Sequence, residues 1–268
     1  MPEITTTRPP SAAYEQHAVR GRFNAAFFRA MDPYIAWNLD ARKQRLFADL
    51  PRNVVEIGPG VGANMRYLAP GSTLVAIEPN RYMHDPLRDA AARHGVRLDL
   101  SERMAEETGL PDDSVDCVIS TLVLCSVEDP EAVVAEVRRI LRPGGTFRFL
   151  EHVAAQPATA TRAVQRALRR PWAWVFEGCS CERDLEDSVR GAGFEDVSIE
   201  HYRLHTPFIP FNTHIIGTLA RDAQTEASGA GACGMQCAHP ARVGDVRAAV
   251  SRAERQGVRE VRRRVNST

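Results

Sequence analysis

At 268 residues the chain can bury one sizeable core with a tail to spare. Its formal net charge is zero, so no global field recruits nucleic acid or an anionic membrane. No run approaches the roughly 18 apolar residues that a membrane-spanning helix needs, and the polar, proline-bearing residues 1–10 do not read as a signal peptide.

A cytoplasmic location follows by default, and two of the six cysteines fall within or beside expected buried strands, which suits reduced thiols acting as small apolar groups. In chain order, residues 11–50 read as helical. Phe23, Ala26, Phe27, Ala30 and Met31 form an apolar stripe, Asp32-Pro33 interrupts it, and a second pattern runs through Trp37, Leu39, Leu46, Phe47 and Leu50. From Asn53 strands alternate with helices. The expected strands are 53–57, 73–78, 96–100, 115–120, 145–151, 196–202 and 214–220. The expected helices are 62–69, 81–94, 130–141, 160–170 and 182–192. In 130–141, Val133, Val134, Val137, Ile140 and Leu141 share a face and Pro130 sits near the start. Such alternation implies an α/β fold with a mostly parallel sheet covered on both faces. The last two strands have no helix between them and are expected to pair as an antiparallel hairpin. Residues 225–234 read as a glycine-rich linker, and 242–264 are arginine-heavy with sparse apolar positions.

The chemistry concentrates first in Val-Val-Glu-Ile-Gly-Pro-Gly-Val-Gly-Ala-Asn, residues 54–64. An apolar strand runs into Glu56, then Gly58, Gly60 and Gly62, then Asn64. Glycines there let the chain turn tightly off a strand and let a ligand lie against bare main chain. The second strand ends in Glu78-Pro79-Asn80, and an acid at that tip is where ribose hydroxyls are held. An adenosine-containing cofactor is therefore expected. Gly58-x-Gly60-x-x-Ala63 also fits the dinucleotide fingerprint, so a nicotinamide oxidoreductase stays open at this point.

Gly62 and Glu56 together match the E/D-x-G-x-G-x-G pattern, and Leu141-Arg142-Pro143-Gly144-Gly145 matches a second phrase, of the class I S-adenosylmethionine-dependent methyltransferases. Residues 114–152 go further. Thr121-Leu122-Val123-Leu124-Cys125-Ser126-Val127, Leu150-Glu151-His152 and Trp172-x-x-x-Phe176-Glu177-Gly178-Cys179 resemble the methyltransferase-like thiol methyltransferases, relatives of the ubiquinone and menaquinone methyltransferases. The resemblance covers roughly residues 40–220. It implies a Rossmann-like, seven-stranded sheet ending in an antiparallel hairpin, S-adenosyl-L-methionine as cofactor, and a small, thiol acceptor. Residues 1–50 become a helical cap, 51–222 the methyltransferase domain and 223–268 an appended tail. Carbon or oxygen methylation of a quinone-like molecule, and cofactor binding without turnover, are the alternatives. No nucleic-acid partner is expected.

On this reading Gly58, Gly60 and Gly62 admit the methionine part of the cofactor and Glu56 holds its amino group. Glu78 accepts from the ribose, with Pro79, Asn80 and Met83 flanking the adenine. Met104 and Ala105 meet the adenine through backbone groups, with Glu106 nearby. Asn64 completes the glycine-rich element, and Thr121 and Leu122 face the sulfonium. His152, after the fifth strand, is either a general base or a hydrogen-bonded structural histidine, with Glu177 a second candidate base. Cys125 could be a nucleophile or a metal ligand, but reads rather as a small buried residue lining the pocket. Cys179-x-Cys181 is too tight for a typical zinc pair, so no metal is expected there, and Cys233-x-x-x-Cys237-x-His239 lacks a fourth ligand.

Overall fold

The computed structural model describes residues 18–222. Seven strands form one sheet: β1 (Asn53–Ile57), β2 (Thr73–Ile77), β3 (Arg97–Ser101), β4 (Val115–Thr121), β5 (Leu141–His152), β6 (Asp196–Arg203) and β7 (Thr213–Ala220). Their order is β3-β2-β1-β4-β5-β7-β6. The first five run parallel, while β7 is antiparallel to both β5 and β6. The expected fold class and closing hairpin are both present. Strand order reverses at β1, whose neighbours are β2 and β4. In open α/β sheets that reversal leaves a crevice beyond the carboxyl ends of the strands.

The central strands are apolar on both faces because helices cover both. Val54, Leu74, Ala76, Ile119 and Leu150 point to one side. There they meet Leu39 and Leu46 of α1 (Ala18–Leu46) and Leu87, Ala90 and Ala91 of α2 (Arg81–His94). Val55, Ile57, Val75, Val118, Phe147 and Phe149 point to the other. They pack on Val133, Val134, Val137 and Ile140 of α3 (Pro130–Ile140). Leu185 and Val189 of α5 (Leu185–Arg190) join the same side, and α4 (Ala160–Val175) precedes α5.

Local chemistry sets the boundaries. Asp129 caps α3 by accepting from the Glu131 and Ala132 amides, and Pro130 occupies the first turn, where its missing N–H costs nothing. Asn80 caps α2 by accepting from the Tyr82 amide, and Gly95 ends it with φ 66°.

Three expectations need correction. Residues 62–69 form only a short 3-10 turn, Met65–Tyr67, because the chain spends residues 58–64 on the glycine loop. Pro33 does not interrupt the N-terminal helix: α1 is continuous through it, with Pro33 on an exposed position where the freed carbonyl can meet water. The buried face of α1 is also not the expected stripe. Gly21, Asn24, Ala25, Leu39, Lys43 and Leu46 are buried, whereas Phe23 is half exposed and Ala26 and Ala30 face outward. Among the described residues no helix is long and apolar enough to cross a membrane. The readings of 1–10, 225–234 and 242–264, with Cys233, Cys237 and His239, lie outside the described residues.

Candidate active site

The ends of β1, β2, β4 and β5 bring the candidate residues to one edge of the sheet. After β1 the chain turns through Gly58, Gly60 and Gly62 at φ 59°, 55° and 85°. All three backbones suit glycine, but for different surroundings. A β-carbon on Gly58 would lie 2.5 Å from Val123, and one on Gly62 would lie 2.7 Å from Ala90. On Gly60 it would meet nothing within 4 Å. A side chain at Gly60 would thus enter open space, whereas at Gly58 and Gly62 packing alone already requires glycine.

Glu78 ties this loop to β2. Its carboxylate accepts from the Gly60 amide at 2.9 Å and from the Asn80 amide at 3.0 Å. Burial pushes its pKa up to about 7, against the lowering effect of those two amides. The Asn80 side chain donates to Glu177 at 3.2 Å, Pro79 is half-buried and Met83 is buried.

Glu56, Asn64 and Thr121 form a second group. The Asn64 amide donates to Glu56 at 2.6 Å and to the Thr121 hydroxyl at 2.9 Å, while its oxygen accepts from Lys43 at 2.8 Å. Both faces of the amide are thus spent on protein atoms, so Asn64 positions Glu56 and Thr121. Glu56 is buried, its second oxygen has no partner, and burial lifts its pKa to about 7. Burial lowers Lys43 to about 8, with Glu56 opposing. Lys43 was not among the sequence candidates; a lysine on the inward face of a helix is invisible until the helix phase is known.

Glu151 is the other residue that sequence reasoning passed over. It accepts from the Ser120 hydroxyl at 2.8 Å and from the Val123 amide at 3.2 Å. It thereby caps the turn after β4, where Leu122 adopts φ 62°, a costly conformation for a non-glycine residue. Burial raises Glu151 to about 7. A glutamate ending the apolar run Phe149-Leu150 was the available signal.

In the loop after β3, Ala105 is buried in the core and Met104 is half-buried. Glu106 accepts from the Asp129 amide at 3.4 Å, which draws it toward the start of α3.

His152 ends β5, fully buried opposite His214. Its Nε2 lies 2.6 Å from the Pro210 carbonyl, and its Nδ1 lies 3.8 Å from Cys179 Sγ. Cys179 Sγ is also 3.5 Å from Cys125 Sγ and accepts from the Trp172 indole at 3.4 Å. Its contact with Cys125 holds the Cys179 thiol well below its ordinary pKa, and the same contact, with burial, pushes Cys125 up. Cys125 is buried, and its partnership with Cys179 and His152 was not foreseen.

The methyltransferase-domain family matches residues 55–149. Human thiol S-methyltransferase TMT1A is 33% identical over 190 residues, covering 66% of this chain and 77% of that protein. Human thiol S-methyltransferase TMT1B is 31% identical, covering 67% of this chain and 78% of that protein. The chain belongs to the class I S-adenosylmethionine-dependent methyltransferases. Its fold is also that of Haemonchus contortus phosphoethanolamine N-methyltransferase 2 in complex with S-adenosyl-L-methionine, with a TM-score of 0.58 at 12% identity over 83% of this chain and 61% of that one. The methyl donor of this enzyme is S-adenosylmethionine. Its donor set fits that molecule: Glu56 offers a buried, unpartnered oxygen to an ammonium, and Gly60 leaves an open cradle that a side chain would fill.

Proposed function

We propose that this methyltransferase acts on a small thiol, and that Glu56, Gly60 and Glu78 hold the cofactor while the aromatic surroundings of His152 take the acceptor. Within this reading the first 50 residues cap a methyltransferase domain at 51–222, residues 223–268 are an appended tail, and the setting is cytoplasmic. The observation that carries the proposal is the likeness to thiol S-methyltransferases over most of those relatives' length. The setting of His152 agrees with it. Both ring nitrogens already face protein atoms, Pro210 and Cys179, so the imidazole is poorly placed to deprotonate a phenol or a carbon acid. A thiol with pKa near ~8.5 supplies much of its own nucleophile.

Bound S-adenosylmethionine supplies an electrophilic methyl group on a sulfonium. The chain's own residues supply orientation and dryness. Glu56, held by Asn64, which in turn accepts from Lys43, anchors the ammonium end; Glu78 accepts from the ribose; Thr121, fixed by Asn64, borders the reacting end. Met83, Met104, Ala105 and Glu106 border the adenine. Phe27 and Phe28 of α1 pack on Phe176 with ring centroids 5.3 and 6.3 Å apart, and Tyr34 meets Phe208 at 6.4 Å. These contacts support the reading of α1 and the segment 203–212 as a roof that excludes water and favours an apolar acceptor.

Incubation of the purified chain with methyl-labelled cofactor and panels of thiols, phenols, quinones and amines tests the proposal. Methyl thioethers are the expected product. Labelling of phenols or quinones with no thiol labelled would reject it.

A further inference from the structure

From the arrangement of Cys125, His152 and Cys179 we infer that this enzyme holds a zinc-class divalent cation on these three side chains, with an open fourth position for the acceptor thiol. The trio comes from three separate segments: the turn after β4, the end of β5 and the loop after α4. Its ligand atoms all lie within 4.8 Å of one another. The two sulfurs are 3.5 Å apart, and Cys179 Sγ is 3.8 Å from His152 Nδ1. A tetrahedral zinc ion with Zn–S of ~2.3 Å and Zn–N of ~2.0–2.1 Å sets neighbouring ligand atoms about 3.5–3.8 Å apart. Two edges of the trio therefore already match those of such a tetrahedron, and the third, from Cys125 to His152, lies within 4.8 Å.

The surroundings prepare each ligand. A carbonyl oxygen can only accept, so the 2.6 Å contact to Pro210 puts the proton of the neutral imidazole on Nε2. The Nδ1 lone pair then faces the sulfurs. A backbone carbonyl holding the far nitrogen is the usual outer partner of a metal-bound histidine. The Ser180 amide donates to the Cys125 carbonyl at 2.8 Å, which locks the two cysteine segments together. The Trp172 indole donates to Cys179 Sγ at 3.4 Å, a contact that suits a thiolate.

Among the described residues no fourth histidine, cysteine, aspartate or glutamate joins the trio. Three protein ligands with two thiolates and one imidazole are a donor set found in catalytic zinc sites, where substrate takes the remaining position. A second thiolate-forming sulfur is the natural occupant. This part of the inference rests on the thiol reading above. The acceptor thiol loses its proton to solvent on binding, its sulfur lone pair forms the new S–CH3 bond, and the donor's C–S bond breaks with its electron pair returning to the donor sulfur. The neutral thioether product is a weaker ligand and leaves.

The test uses the full chain, stripped with a chelator under a phosphine reductant and titrated with Co²⁺ alone. We expect one ion per chain, thiolate-to-cobalt absorption in the near ultraviolet, and displacement by Zn²⁺. Cys125→Ser and Cys179→Ser should each weaken binding at least ~10-fold and reduce that band, with circular dichroism and cofactor affinity retained. The double variant Cys233→Ser/Cys237→Ser should keep it. A small thiol added to the cobalt form should shift its visible spectrum. Absence of the band in the unmodified chain, or a band unaltered in Cys125→Ser, would overturn the site. An unmoved spectrum under saturating thiol, or undiminished thiol methylation by the stripped protein, would overturn the open position. Cobalt bound on the trio with no thiol methylated would sink the acceptor reading alone and leave the metal site standing.

Discussion

A methyl group added at Gly60 would project from a backbone at φ 55° into open space, whereas at Gly62 it would run into Ala90 at 2.7 Å. Both substitutions carry the roughly 1–2 kcal/mol strain of a left-handed alanine, but only the second adds overpacking of about 1–3 kcal/mol. Gly60→Ala should therefore keep most of its stability and lose most of its affinity for S-adenosylmethionine, while Gly62→Ala should lose stability first. Urea melts and calorimetry on both variants check this; an unchanged affinity in Gly60→Ala would move the cofactor off this loop. Glu78→Ala should weaken the cofactor by roughly 1.5–3 kcal/mol through lost charge-assisted hydrogen bonds, read by the same titration. Glycines and an acid at strand tips were legible because the strand pattern itself fixes their place. The Cys125, His152 and Cys179 cluster was not, because nothing in three distant segments states that the sheet edge will bring their ligand atoms within 4.8 Å.

The strands, α2 and α3 followed from apolar runs, helical periodicity and caps, all local signals that agree with the tertiary outcome. Helix α1 shows where such reading fails. Its buried face carries Asn24 and Lys43 because it packs on polar groups of the site edge: Asn24 donates to the Val175 carbonyl at 2.9 Å, and Lys43 donates to Asn64 at 2.8 Å. An apolar stripe is then a misleading guide to the phase of the helix. The same contact makes a prediction. Lys43→Met removes the positive partner of Glu56 and leaves the Asn64 oxygen bare, which should cost about 1–3 kcal/mol. Adding Glu56→Gln to it removes the stranded carboxylate and should recover part of the loss. Urea unfolding of the two single variants and the double variant gives the coupling; strict additivity would show that α1 and the glycine loop are energetically independent.

At the scale of the whole molecule, the sheet edge gathers Glu56, Glu78 and Glu151, each lifted by burial from 4.5 to about 7. Between those two values the folded chain binds protons that the unfolded chain has already released, so stability falls as pH rises and the loss is complete once pH passes the folded values. Each carboxylate contributes on the order of 1–3 kcal/mol to that slope. Lys43, lowered from 10.5 to about 8, acts only above that range, where the unfolded chain holds the extra proton and stability rises again with pH. Without cofactor, the melting temperature should therefore drop by at least roughly 5 °C between mildly acidic and mildly alkaline solution. Cofactor should oppose the drop, because the proposed ribose hydroxyls donate to the ionised form of Glu78 and an ammonium pairs with ionised Glu56. The stabilisation given by a fixed excess of S-adenosylmethionine should accordingly grow with pH through 7. Glu78→Gln should raise the melting temperature of the cofactor-free protein at alkaline pH and flatten the growth of the cofactor effect. Scanning fluorimetry of both proteins, with and without cofactor, from pH about 5 to 8.5 decides it. A cofactor effect of constant size across that range in the unmodified chain would show that the cofactor binds without drawing on these carboxylates.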